Sequence, residues 1–119
     1  EHHGLGARRN VRVERLSGDV FEPAIEMWRV LVQPGYGSGK GSFSFEGEEV
    51  LVCEDGTIEV VIGSETYELQ AGDSLHFKAS LPHAWRNPGD VPASLTVACD
   101  FPRQFRAALH RKLRPRRIR

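Results

Sequence analysis

The chain has 119 residues, 39% of them apolar and 27% charged, which fits one globular domain and excludes both a disordered chain and a bundle of membrane spans. Its formal charge of zero conceals an acidic body and a basic end. Residues 1–100 hold all sixteen acidic side chains and eight cations, a net of −8, while residues 101–119 hold the other eight cations. Two cysteines, Cys53 and Cys99, form no spacing motif, which excludes a disulfide scaffold and points to a reducing, cytoplasmic setting.

The opening EHHGLGARR lacks the apolar stretch of a signal peptide and is read as a linker or disordered segment over residues 1–9. The only methionine is Met27, so the expectation is that the sequence is a piece of something longer, or a processed or tagged chain. Period-two alternation follows. VRVERL (11–16) and AIEMWRVLV (24–32) read as strands, and the glycine-rich PGYGSGKG (34–41) as a loop. Short strands come next: SFSF (42–45), EVLVC (49–53), TIEVVI (57–62), TYEL (66–69), SLHF (74–77), HAWRN (83–87) and SLTVAC (94–99). The intervening EDG, GSE, AGD and NPGD carry the residues tight turns require. Many short strands joined by such turns predict an all-β domain, a small antiparallel barrel or sandwich over residues 10–100. Beyond Asp100, Phe105, Ala108, Leu109 and Leu113 recur at helical spacing between Pro102 and Pro115, predicting a short amphipathic helix in a basic tail over 101–119.

Two spaced patterns carry chemistry. Gly37, Phe43, Phe45, Glu49 and Gly56 meet every interval of G(X)5HXH(X)3–4E(X)6G, with phenylalanine in place of both histidines. Gly72, His83 and Asn87 meet those of G(X)5PXG(X)2H(X)3N, with Lys78 and Ser80 in place of the proline and inner glycine. On these residues the chain resembles the cupin superfamily over roughly 10–100, which implies a small β-barrel or jelly roll. The pieces GEE, LQAGDSLHF and PHAWRNPGD look most like the cupin domain at the C-terminus of XRE-class helix-turn-helix regulators, where it is taken to sense a small molecule.

In metal-binding cupins the two histidines, the glutamate and the second-motif histidine hold the ion. By position these are Phe43, Phe45, Glu49 and His83. Phenylalanine has no lone pair to donate, and two ligands fall short of the three or four of a zinc or nonheme iron site, so the expectation is no metal and no cofactor. Cys53 lies outside the family pattern as a substitute ligand, and His76 sits on a neighbouring strand whose facing the sequence leaves open. If Glu49 points inward, alternation lines the interior with Phe43, Phe45, Glu49, Leu51, His83 and Trp85. From the earlier strand either Glu26, Trp28 and Val30 or Met27, Arg29 and Leu31 complete it; the first set is the more apolar and places Trp28 among the ligand-binding candidates.

Three readings follow. In the first, the chain is the effector-sensing domain of a transcriptional regulator, holding an apolar or planar small molecule, dimeric, touching DNA only through an upstream domain and touching no membrane. In the second, it is a stand-alone enzyme of isomerase, lyase or oxygenase type in which His83 and Glu49 act as base and acid. In the third, Phe43 and Phe45 fill the interior and the domain only dimerises. The basic tail docks on the body or a second subunit, meets DNA phosphates, or stays solvated.

Overall fold

The computed structural model describes residues 10–39 and 44–100. The predicted linker (1–9) and tail helix (101–119) lie outside the described residues, as does Phe43. Eight strands occupy the rest: β1 (Val11–Arg15), β2 (Glu26–Val32), β3 (Glu48–Asp55), β4 (Thr57–Ile62), β5 (Glu65–Gln70), β6 (Ser74–Lys78), β7 (His83–Arg86) and β8 (Ala93–Cys99). No helix occurs among the described residues, and none there is long and apolar enough to cross a membrane.

Alternation is the local cause of the strands. Along β2, Glu26, Trp28, Val30 and Val32 are buried while Met27, Arg29 and Leu31 are exposed, so the inner face is the first of the two sets weighed above. The same period turns Glu49, Leu51 and Cys53 of β3 and Ile58, Val60 and Ile62 of β4 inward. Strand β8 departs from it: Ala93 through Thr96 are all buried, as suits a central strand covered on both faces.

The strands form two antiparallel sheets, one ordered β1-β2-β8-β3-β6 and the other β5-β4-β7. The interior between them is packed by Val30, Val32, Leu51, Cys53, Ile58, Val60, Ile62, Leu69, Ala93 and Leu95. The expected barrel is therefore not closed. The free edge of β7 meets a loop through the single bridge Gly37–Arg86, and Ser44 and Phe45 of the predicted SFSF strand lie outside any strand. A four-residue edge strand covered by a loop ends its sheet without needing closure.

Two glycines of the spaced pattern have specific work. Gly56 joins β3 to β4 at φ 74°, and a Cβ there would stand 2.8 Å from the Pro92 carbonyl oxygen. Gly37 lies so close to β7 that a Cβ would fall 2.6 Å from the Arg86 Cα.

Candidate functional site

The ladder of the larger sheet arranges the interior in rows. Glu26, Cys99, Glu49 and Phe77 stand side by side on β2, β8, β3 and β6. The next inward row is Trp28, Val97, Leu51 and Leu75, and beyond it come Val30, Leu95 and Cys53. The sandwich thus grades from a polar end, with two carboxylates roughly 10 Å apart across three strands, to an apolar end.

Each buried acid has a base. Glu49 Oε1 lies 3.1 Å from His83 Nε2, with the histidine fully buried and the carboxylate nearly so. Proline at 82 leads directly into β7, and His83 Nδ1 lies 2.8 Å from the Leu81 carbonyl oxygen. A carbonyl can only accept, so Nδ1 carries hydrogen and Nε2 turns to the carboxylate. Burial opposes charging of this imidazole; the hydrogen bond to Glu49, the bond to Leu81 and the Glu49 charge together outweigh it, and the pKa is raised. The rings of Phe45 and Phe77 meet His83 edge-on, with centroids 5.8 and 5.1 Å away.

Glu26 is fully buried beside Arg15, whose Nε is 3.5 Å from Oε1, and Ser17 donates its hydroxyl to the same oxygen at 3.2 Å. Arg15 also donates to Asp19 and to the Gly18 carbonyl, each at 3.2 Å, wrapping residues 15–19 around the guanidinium. Arg15 was missed by the sequence reading. Its signal was there: in VRVER it takes the inward beat after Val11 and Val13, and an arginine on an apolar face calls for a buried carboxylate.

The structure brings Phe45, Glu49 and His83 into one cluster, with Leu51 one row inward on β3 and Trp28 in the same row on β2. Trp85 is only half-buried, its backbone held by Ser38, whose hydroxyl accepts from Trp85 N at 3.0 Å. His76 faces outward and pairs with Glu48 at 2.7 Å, so it does not belong to the cluster. The Cys53 thiol is directed at the Asp55 and Gly56 carbonyl oxygens, 3.6 and 3.4 Å away. Burial, then Asp55 and Asp73, push that thiol's pKa up.

The donor set does not fit a resident metal. Of the four positions where the resemblance implies ligands, only Glu49 and His83 bear donor atoms, and the ring of Phe45 packs against His83. Among the described residues no three His, Cys, Asp or Glu side chains converge as a cation site. What the cluster can do is hold a proton between a buried imidazole and a buried carboxylate, against aromatic walls.

A family model described as Cupin domain (Cupin_2) matches residues 28–99. This chain belongs to the cupin family. None of the curated proteins matches it. Among solved structures it is similar to the Cupin_2 domain of an XRE family transcriptional regulator from Enterobacter cloacae, with TM-score 0.69 and 22% identity, covering 78% of this chain and 98% of that one. An HTH_3 family transcriptional regulator from Vibrio cholerae aligns with TM-score 0.66 and 17% identity over 78% of this cupin and 52% of its own length, so the chain spans about half of that protein. A Cupin 2 conserved barrel domain protein from Salinispora arenicola gives TM-score 0.67 and 22% identity over 90% and 86% of the two chains. At these identities the likeness is one of fold.

Proposed function

We propose that this cupin is the small-molecule-sensing domain of a cytoplasmic transcriptional regulator, taking an apolar or planar effector between its sheets without a metal. Residues 10–100 form the sensing unit and 101–119 a basic tail. The observation that carries the reading is the exchange of imidazole for phenyl at positions 43 and 45, with the Phe45 ring set edge-on against a buried His83–Glu49 pair. Aromatic walls with one polar anchor favour a planar organic ligand over an ion. The residues we assign to it are Phe43, by its place in the spaced pattern, and Phe45, Glu49, Leu51, His83, Trp85 and Trp28. The similarity in fold to domains of XRE and HTH_3 regulators supports the regulatory role. The domain works as a homodimer, and the effector acts by binding one of two subunit arrangements more tightly than the other, biasing DNA-reading domains upstream.

Native mass spectrometry and metal analysis of tag-free protein purified without chelators test this. The expected result is sub-stoichiometric metal together with a small organic mass released on denaturation. Near-stoichiometric iron, zinc, nickel or manganese would overturn it.

One observation favours a second reading. The raised pKa of His83 beside Glu49 is what a proton-transfer pair in a metal-free isomerase or lyase requires. Turnover with a bell-shaped pH profile, abolished in His83→Ala, would move the assignment to that class.

A further inference from the structure

Trp28 stands in the second interior row, 4% exposed, between the acid-bearing end and the apolar end of the sandwich. Its indole Nε1 is fully buried and finds no acceptor among the described residues. The indole N–H is a donor only, and a buried donor that has surrendered water without gaining an acceptor is rare in native proteins. Among the described residues, the two buried side chains that can carry positive charge, Arg15 and His83, are committed. Arg15, opposite Trp28 on β1, spends Nε on Ser17 and Glu26, one terminal nitrogen on Asp19 and the other on the Gly18 carbonyl. His83 is committed to Glu49 and Leu81.

We infer that the effector is a neutral molecule carrying one hydrogen-bond-accepting oxygen, a ketone, amide, lactone or ether, which receives the Trp28 Nε1 proton while its apolar body lies along the row of Val97 and Leu51. This deepens the sensing proposal and rests on it. A carboxylate or phosphate is disfavoured because, among the described residues, Arg15 and His83 already stand against Glu26 and Glu49; burying a second anion beside them costs desolvation without compensation. A wholly apolar ligand would leave the indole donor without an acceptor.

The test is a titration of 15N-labelled protein at neutral pH with three probes of one shape: acetophenone, α-methylstyrene, which puts carbon where acetophenone has oxygen, and benzoate. The chain's two tryptophans give two indole cross-peaks, assigned with Trp28→Phe. Acetophenone is expected to move the Trp28 indole proton downfield and to bind about fivefold to tenfold more tightly than α-methylstyrene, with benzoate weakest. In Trp28→Phe the preference for acetophenone disappears while α-methylstyrene still binds. Should that variant fail to fold, the wild-type cross-peak and the three affinities decide alone. Equal binding of acetophenone and α-methylstyrene, tighter binding of benzoate, or a persistent contact between the Trp28 indole proton and a buried water overturns the acceptor assignment and leaves the apolar pocket standing. Absence of binding by all three overturns the pocket itself, and the inference falls with it.

Discussion

Replacing Glu49 with glutamine should change the sign of the pH dependence of stability, not only its level. In the wild type the His83 pKa is raised in the folded state, so the stabilisation is fully present below the unfolded value of about 6.5 and is lost as pH rises through the folded one. Between those two values the folded chain holds up to one extra proton, and stability falls by as much as about 1.4 kcal/mol per pH unit. Glu49→Gln removes the carboxylate 3.1 Å from Nε2 but leaves the burial, which is the largest single influence on His83 and acts in the opposite direction. The variant's imidazole is therefore pushed below 6.5, and its stability rises with pH up to that value. At low pH, where wild-type His83 is charged and paired and the variant's cannot be, the gap should be roughly 3–5 kcal/mol, the cost of breaking a buried ion pair from one side. It should narrow towards pH 8. Urea unfolding across pH 5.5–8.5, extrapolated to water at each step, reads both curves. Parallel curves, or a wild type that gains stability through this window, would refute the argument.

Leu51→Ala, at a fully buried site in the centre of the larger sheet, should cost about 3 kcal/mol and lower Tm by roughly 15 °C in a calorimetric scan. Asn87→Ala should lose about 2–4 kcal/mol by urea unfolding, because the buried amide donates to the Val32 and Val91 carbonyl oxygens at 3.0 and 2.8 Å and accepts from Gly89 N at 2.9 Å. Cys53, fully buried with its pKa pushed up by burial, Asp55 and Asp73, should react with Ellman's reagent at pH 8 only after denaturant is added. A rapidly titrating Cys53 in native protein would contradict its placement.

The legible parts of this molecule were those written in period two. TIEVVI has the bounds that β4 takes, and alternation along EMWRVLV and EVLVC sorts the side chains into two faces, of which the more apolar one in β2 and the one bearing Glu49 in β3 are buried. The spaced glycines, Glu49 and His83 marked the family before any coordinates, because intervals survive when the residues between them change. What failed did so for non-local reasons. Whether sheets close depends on what meets the last edge, and here Gly37 and Ser38 cover β7, a pairing across nearly fifty positions that no window displays. SLHF alternates without saying which beat is inward, so the facing of His76 is not legible there; its partner Glu48 lies on another strand. Asn87 is marked by its motif position, yet its work of tying β2 to the turn before β8 is visible only in three dimensions.

Strand β8 lies between β2 and β3, so the last made of the described strands fills the centre of a sheet begun first. Until it arrives, β2 and β3 each present an open edge with no neighbour to satisfy its backbone groups. A nascent chain that has extended only through β7 can close the β4–β5 hairpin but cannot assemble the five-stranded sheet, since Glu26 must wait for Cys99. Folding is therefore dominated by a late, long-range closure and should be slow for a domain of this size. During that wait the inward beat of β2, with Trp28, Val30 and Val32, stands open to other copies of itself. Production at low temperature, or with abundant chaperone, should accordingly raise the soluble yield far more than it raises the stability of the finished fold.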